Sequence, residues 1–207
     1  MHARSTTIQA TPSSIDTGVR HIQDEVLPAL TDVDGFTGLS TLVDRKSGRC
    51  IVTTAWQSED AMHASAEQVL PIRDRAAQRF GADAAEVDEW EIALLHREHN
   101  SGDGAVCRVT WVRGDPANLD RATEVFRMVS LPVLQEAMGF CSASLMINRS
   151  TGIGVTSVVY QSRKAMDQAQ QIAEDARQRA TSRAGVTILE VREFELALAH
   201  LRVPEMA

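Results

Sequence analysis

The sequence predicts an α+β protein built from two copies of one unit, each about 100 residues long. Shifting residues 1–98 by 104 positions places them on residues 105–202 without a gap. Across residues 27–62, 12 of the 36 aligned pairs are identical, where unrelated segments would share roughly two. Two copies, rather than the many of a solenoid, indicate a duplicated domain. Each copy has the same predicted order of elements, which is strand, helix, strand, strand, helix, strand.

The first strand and helix of the unit follow from residue type and spacing. A β-forming run at residues 4–10 ends at Thr11-Pro12, and a helix follows. Apolar residues recur in that helix every three or four positions, which keeps one stripe on the core. Pro28 lies in its last turns and should bend or end it. The stripe consists of Ile15, Val19, Ile22, Val26 and Leu30.

The middle of the unit is predicted to be a hairpin followed by a second helix. Residues 34–44 alternate as a strand, and residues 49–57 form the next. Gly48 supplies the positive φ that the tight turn between them needs. Ser58 can cap the second helix, and Pro71 is expected to divide it.

The last strand of the first unit is predicted at residues 87–97. The polar, glycine-rich stretch that follows has the composition of a linker. We therefore expect a first repeat at 1–98, a linker at 99–104 and a second repeat at 105–207.

The order βαββαβ is that of the ferredoxin-like unit, whose antiparallel sheet carries helices on one face. Both faces of the strand at residues 34–44 carry apolar side chains, so a second sheet should cover the face without helices. The duplicate supplies that sheet. The predicted fold is therefore two ferredoxin-like repeats packed sheet to sheet as a single-chain α/β barrel of the dimeric type, a pseudo-dimer within one chain that we expect to be monomeric.

Composition narrows the classes of function. A net charge of −7 argues against a nucleic-acid partner. No apolar run is long enough to span a membrane, and the first residues lack the apolar stretch of a signal peptide. The cysteines, Cys50, Cys107 and Cys141, have no CxxC spacing. They are typical of a reduced, cytoplasmic protein without a metal site.

The residues of the first repeat resemble the antibiotic biosynthesis monooxygenase-like family of the dimeric α/β-barrel superfamily. The resemblance lies in Gly35-Phe36-Thr37-Gly38, a hairpin, and then Trp56-Gln57-Ser58-Glu59-Asp60-Ala61-Met62. The second repeat carries a weaker copy that contains Gly139-Phe140 and Tyr160-Gln161-Ser162. The resemblance implies a fused version of what is usually a homodimer, with a small-molecule cleft between sheet and helices in each half.

The family has several activities, including haem degradation and oxidation of polycyclic aromatic substrates by O₂ without a cofactor. Its haem-degrading members use an asparagine, a tryptophan and a histidine that this chain lacks in both repeats. We therefore expect no haem and no other cofactor. The positions aligned with those three residues hold Thr7, Ser65 and Asp74 in the first repeat, and Trp111, Ala169 and Gln178 in the second.

Cofactor-free oxygenation needs a pocket for an electron-rich ring and a group that removes its proton. Trp56 and Tyr160, at equivalent ends of the third strand, are candidates for the pocket wall. Phe36, Ser40 and Asp44 alternate along one strand, as Phe140, Ser144 and Asn148 do in the second repeat, and small and polar residues beside an aromatic are what such a pocket needs. The alternative is that the aromatic residues anchor helix to sheet and that Asn148 is an ordinary turn residue.

His63 and Asp44 are the candidate catalytic residues. The imidazole of His63 titrates near neutrality and would suit a general base, but its acidic neighbours also fit a solvated ion pair. Asp44 lies beside a turn, where aspartate is common for structural reasons. His96 and His200 are shared by both repeats, and two imidazoles alone do not make a metal site.

The leading hypothesis is a cofactor-independent monooxygenase-like protein that acts on a small aromatic or quinone-type molecule. The alternative is a non-catalytic small-ligand-binding or stress-related protein with the same barrel. A site kept in one repeat should leave a roomier cavity there. We expect that cavity in the first repeat, because its sequence is closer to the family motif.

Overall fold

The computed structural model describes residues 1–201 and 204–205. The elements of the first repeat are β1 (His2–Gln9), α1 (Ile15–His21), α2 (Leu27–Thr31), β2 (Phe36–Val43), β3 (Arg49–Trp56), α3 (Glu59–Ala64), α4 (Ala66–Arg79) and β4 (Ala85–Arg97). Those of the second are β5 (Val106–Arg113), α5 (Leu119–Val125), α6 (Leu131–Gln135), β6 (Phe140–Asn148), β7 (Ile153–Tyr160), α7 (Arg163–Gln168), α8 (Gln170–Ala184) and β8 (Thr187–Leu201).

The eight strands form a closed barrel in the hydrogen-bonded order β1-β3-β2-β8-β5-β7-β6-β4. In the first repeat this gives the order β4-β1-β3-β2, and in the second β8-β5-β7-β6, which is the ferredoxin-like arrangement. The registers also match, since His2 pairs with Trp56 at the end of β1 and β3, and Val106 pairs with Tyr160 at the end of β5 and β7. The predicted α+β class and α/β-barrel architecture are confirmed.

The chain forms two compact units that divide β4 and β8 between them. Unit 1 contains residues 1–90 and, among the described residues, 195–201. In unit 1 the second half of β8 pairs with β2, with Val43 opposite Glu195. Unit 2 contains residues 91–194 and 204–205. There the second half of β4 pairs with β6, from Glu91 to Arg97.

Both first helices contain a π-helical turn just before their proline and continue past it. The turn covers Ile22–Val26 in unit 1 and Phe126–Ser130 in unit 2. Proline cannot donate the backbone hydrogen bond of a regular helix and clashes with the carbonyl four residues before it. The wider π turn accommodates this: the Leu27 amide donates to the Ile22 carbonyl, five residues back. Pro28 therefore follows a π turn and lies in the first turn of α2. The prediction that it bends or ends the helix did not include this π turn.

The second helix of the first repeat is divided at Ser65, not at Pro71. Ser65 lies between α3 and α4, and its hydroxyl donates to the Met62 carbonyl at 2.7 Å. Pro71 lies inside α4, so the prediction that it divides the helix is wrong. The predicted Ser58 cap is present, since its Oγ accepts from the Ala61 amide at 3.1 Å.

Each unit has its own hydrophobic core between helices and sheet. The unit 1 core includes fully buried Trp56 and Phe80, and the unit 2 core includes fully buried Tyr160 and buried Phe140. Within the described residues, no helix has both the length and the apolar character needed to cross a membrane.

Candidate functional site

Unit 2 contains a cavity of about 80 Å³ between its sheet and its helices. A single water needs roughly 10–15 Å³ on this measure, so the space could hold several waters or one small ring. The sheet side is formed by β5, β6 and β7, and the opposite side by α5, the π turn and α8. Most of the lining is apolar, and Leu134, Leu145, Ile147 and Val158 contribute to it.

Small side chains on α8 make the space. Ala173, Ala176, Ala180 and Ala184 line the cavity together with Thr181. Their spacing of three or four residues places them on one face of the helix. A helix with alanine along its inner face leaves room where larger side chains would fill the core.

The polar part of the lining includes Arg108 on β5, Tyr160 on β7 and Arg177 on α8. Arg108 is opposite Val158 in the β5–β7 register, two residues from Tyr160. Diagonal neighbours of this kind on one sheet face lie within reach of long side chains. Arg177 projects from the alanine-rich face of the helix above them.

Two donor groups in this part of the cavity lack a partner among the described residues. They are the Tyr160 hydroxyl and Nη1 of Arg108. Tyr160 is 0% exposed and Arg108 is 5% exposed. A buried donor without an acceptor costs about 1–3 kcal/mol, so proteins rarely keep one without a reason.

The charges around the cavity affect two pKa values. Burial raises the pKa of Tyr160, although the nearby Arg108 and Arg177 act in the opposite direction. The phenol therefore stays protonated at neutral pH and can donate. Burial, followed by repulsion from Arg108, lowers the pKa of Arg177. The lowered pKa of Arg177 reflects the positive charge gathered there, whereas the raised pKa of Tyr160 shows that burial outweighs the attraction of both arginines for a phenolate at that position.

Glu193 balances only part of that positive charge. Its Oε1 accepts from Nη2 of Arg108 at 2.8 Å, and its Oε2 accepts from Arg163. Burial raises the pKa of Glu193, but the hydrogen bonds from Arg108 and Arg163 outweigh burial and hold it below its usual value. Glu193 therefore remains ionised and is not available as an acid.

The equivalent place in unit 1 has less space, and its Trp56 and Arg4 have hydrogen-bond partners. The cavity there is about 30 Å³. Trp56, in the place of Tyr160, donates from Nε1 to Oγ1 of Thr54 at 3.1 Å. Arg4, in the place of Arg108, donates from Nη2 to the Met62 carbonyl at 3.0 Å and to Glu89 at 2.8 Å.

Side-chain bulk accounts for the difference in volume. Phe80 is fully buried in unit 1, where unit 2 has Ala184. Val69 and Ile72 correspond to Ala173 and Ala176. Between the sheet and the helices, the larger cavity therefore lies in the second repeat and not in the first, because aromatic and branched residues fill the core of the first repeat. The first repeat has its larger space elsewhere, in an open and mostly polar recess of about 450 Å³ that Asp32, Gln57 and Gln68 help to line.

The predicted substrate-binding residues fall in different places. Tyr160 lines the unit 2 cavity. Trp56 and Phe36 pack edge to face in the unit 1 core, with ring centroids 5.7 Å apart. Ser40 lies on β2, opposite Thr53 of β3. Oδ1 of Asn148 accepts from the Ser150 and Thr151 amides, both at 3.0 Å, so this side chain caps the hairpin turn.

The two candidate catalytic residues lie outside both cavities. Oδ1 of Asp44 accepts from the Lys46 amide at 2.9 Å and caps the equivalent turn in unit 1. His63 is 53% exposed and its Nε2 lies 3.0 Å from Oε2 of Glu89. Neither residue lines the cavity that contains Tyr160, and their catalytic roles stay predictions.

Sequence reasoning missed Arg108, Arg177 and Ala184. The internal alignment contained a signal for them, since both arginines recur as Arg4 and Arg73 while Phe80 is replaced by Ala184. Among the described residues there is no group of three or more histidine, cysteine or acidic side chains that could hold a metal ion.

Solved structures with a similar fold span nearly the whole chain. A provisionally assigned monooxygenase from Lactobacillus acidophilus NCFM has a TM-score of 0.71 and 10% identity, over 97% of this chain and 96% of that one. An anthrone oxidase-like protein has a TM-score of 0.68 and 12% identity, over 100% and 94%. A ferredoxin-fold protein from Listeria monocytogenes that is related to antibiotic biosynthesis monooxygenases has a TM-score of 0.54 and 8% identity, over 94% of each chain.

These likenesses show the fold alone, an α/β barrel. Two sequences are much closer. The Mycobacterium tuberculosis H37Rv protein Rv2557 is 49% identical over 206 residues, covering 100% of this chain and 92% of its own. Rv2558 of the same strain is 50% identical over 207 residues, covering 100% and 87%. The chain belongs to the family of these two mycobacterial proteins. No protein-family model matches it.

Proposed function

We propose that this chain is a cofactor-independent monooxygenase-like protein that binds a small aromatic or quinone-type molecule in the unit 2 cavity. One observation carries the proposal: unit 2 keeps an apolar cavity with two unsatisfied buried donors, while the same place in unit 1 has less space and its Trp56 and Arg4 have hydrogen-bond partners. In this proposal the chain is an internal duplication, with repeats at 1–98 and 105–207, in which the first copy provides packing and the second binds the ligand.

The arrangement suits a substrate that loses a proton before it meets O₂. Among the described residues that line the cavity, none is aspartate, glutamate or histidine. Positive charge lowers the pKa of a nearby acid, so Arg108 and Arg177 would favour the enolate or phenolate of a weakly acidic substrate. Solvent then takes the proton, and the site needs no general base of its own.

The oxygenation step balances without a cofactor. A ring methylene beside a carbonyl loses one proton, and the enolate passes one electron to O₂. The two radicals combine and take up a proton to give a hydroperoxide. Loss of water leaves a new carbonyl, so that R₂CH₂ and O₂ give R₂C=O and H₂O. The guanidinium groups and the Tyr160 hydroxyl would stabilise the enolate oxygen, which is the role of a preorganised oxyanion site.

The acid-free lining also favours a second candidate, a ligand-binding protein without catalysis. Both candidates predict that a small ring binds in unit 2, and only the first predicts that O₂ is consumed. Oxygen uptake with a ligand that binds and carries an acidic C–H or O–H therefore separates them.

The binding claim can be tested by filling the cavity. A184F supplies the ring that Phe80 places in unit 1, and A122G makes room for it as Gly18 does there. The double variant should fold and lose the thermal shift that saturating small aromatic ligands give to the wild-type protein. The matched control is F80A, which enlarges the unit 1 cavity and should leave that shift unchanged. Binding that persists in A122G/A184F would refute the assignment of the site.

A further inference from the structure

Both unsatisfied polar groups in the unit 2 cavity are hydrogen-bond donors. The Tyr160 hydroxyl can donate or accept, but its raised pKa keeps the proton on it. Nη1 of Arg108 can only donate. Both atoms are buried and have no acceptor among the described residues. What the site lacks is therefore an acceptor oxygen supplied by another molecule.

The charged groups around these two donors also favour an anionic acceptor. Arg108, Arg163 and Arg177 contribute three guanidinium groups, while Glu193 and Glu174 contribute two carboxylates. Glu193 is already bonded to two of the arginines. Among these five groups one positive charge is in excess when the half-exposed Arg163 is included. Beside the buried Arg108, the attraction between that charge and an anion is stronger than it would be in water.

Unit 1 provides an internal comparison for this inference. Arg4 and Arg73 are retained there, but Trp56 replaces Tyr160 and its ring nitrogen already has an acceptor in Thr54. Nη2 of Arg4 is likewise bonded to Met62 and Glu89. A pair of arginines is thus not sufficient by itself to leave donors unpaired, and the vacant donors are specific to unit 2.

We propose that the ligand of the unit 2 cavity bears an anionic oxygen, a carboxylate or phenolate on a single flat ring, which accepts hydrogen bonds from Tyr160 and Arg108 beside Arg177. The proposal rests on the proposed function and deepens it, since it assigns the charge of the molecule that the cavity holds. The apolar sides of the cavity take the ring, and the polar end takes the oxygen.

The test compares charged and neutral probes of one shape. Benzoate and benzamide form one pair, and 4-nitrophenolate at pH 8.5 and nitrobenzene form the other. Titration calorimetry on the full chain should give at least tenfold tighter binding for the anion of one or both pairs. A preference in the first pair alone identifies a carboxylate, and in the second alone a phenolate.

Variants then assign the contact. Y160F and R177M should each weaken binding of the preferred anion about tenfold, because a hydrogen bond or charge on an ionised group is lost. Binding of the neutral partner should change less than threefold. W56F, at the equivalent position of unit 1, is the matched control and should leave both affinities unchanged.

One further measurement separates a binding role of Tyr160 from a structural one. Y160F removes a hydroxyl that has no partner within residues 1–201 and 204–205, so the ligand-free variant should melt at a higher temperature than the wild-type protein while it binds the anion more weakly. A structural hydroxyl would give a lower melting temperature instead.

The outcomes distinguish the two proposals. If the neutral probe binds as tightly as the anion, the inference about charge is overturned and the proposed binding site stands. In that case A122G/A184F should abolish binding of the neutral probe too, which would support the unit 2 cavity as its binding site. If no probe binds the wild-type protein at millimolar concentration, the proposed function fails, and the inference fails with it.

Discussion

The effect of G18A on stability should change sign when Phe80 is removed, because the ring of Phe80 occupies the space where a side chain at position 18 would lie. A Cβ added at Gly18 would lie 2.4 Å from Cδ1 of Phe80, 2.5 Å from Cγ and 2.6 Å from Cε1. Phe80 is fully buried and its ring cannot move aside without disturbing the core. The second repeat contains the complementary solution, with Ala122 and Ala184 at these positions.

The magnitudes follow from packing. G18A alone gains about 1 kcal/mol of helix propensity, but the overlap with the ring should cost more, leaving a net loss of about 1–3 kcal/mol. F80A alone should cost about 3–5 kcal/mol through the cavity that it leaves. In the F80A background the overlap is gone, so G18A should become stabilising by about 1 kcal/mol. The coupling energy is then roughly 2–4 kcal/mol.

Urea unfolding of the four proteins in the cycle measures these values. The expected pattern is a free energy of unfolding that falls with G18A in the wild-type background and rises with G18A in the F80A background. If G18A changes the free energy of unfolding in the same direction in both backgrounds, the contact between Phe80 and Gly18 does not explain why the unit 1 cavity is smaller than the unit 2 cavity.

Four other outcomes can be measured directly. Y160F should raise the free energy of unfolding by up to about 1–3 kcal/mol, because it removes an unsatisfied buried hydroxyl, while W56F should lower it. If chemical denaturation shows that Y160F is destabilised, the Tyr160 hydroxyl has a partner after all. Burial raises the pKa of Cys50 and of Cys107 to about 12, so both thiols should resist a disulfide reagent at pH 8 until the protein unfolds; rapid labelling of the native protein would argue otherwise. The pKa of Glu89 and of Glu193 lies below the usual 4.5, because hydrogen bonds from arginine outweigh burial. Their contribution to stability is complete above about pH 5 and is lost as the pH falls through the folded pKa. The free energy of unfolding of E89Q/E193Q should therefore fall less steeply with decreasing pH than that of the wild-type protein. Residues 1–100 expressed alone lack Ala197 and Leu198, which pack against the unit 1 core, and should self-associate in sedimentation, whereas the full chain of 22.6 kDa should sediment as a monomer.

Much of the fold could be predicted because repeated local signals agree. The Ser58 cap, the turn at Gly48 and the apolar stripe of the first helix each have a counterpart in the second repeat, and strand bounds were within one or two residues. The π turns could not be predicted, since nothing local distinguishes Ile22–Val26 from a regular helix before a proline. The break at Ser65 depends on a hydrogen bond to Met62 that forms only in the folded chain.

The site was harder to predict because it arises from a difference between the repeats. Tyr160 was identified as an aromatic pocket residue, but Arg108 and Arg177 resemble ordinary surface arginines until the sheet and helix bury them. Family resemblance favoured the first repeat, where Trp56 and Phe36 in fact complete the core. Asp44 and Asn148 carry the chemistry of a catalytic site, but hydrogen bonds within their own turns account for their side chains.

The pairing of β2 with the second half of β8 has a consequence for synthesis of the chain. Val43 and Glu195 are neighbours although about 150 residues separate them in the sequence. During translation, one edge of β2 therefore stays unpaired until β8 has been synthesised. Unpaired strand edges attract other chains, and contacts so distant in sequence form slowly. The nascent chain therefore passes through a period of exposure that the finished barrel no longer has. Changes to the messenger RNA that slow elongation or release should therefore lower the yield of folded protein without changing the equilibrium stability of the protein that does fold.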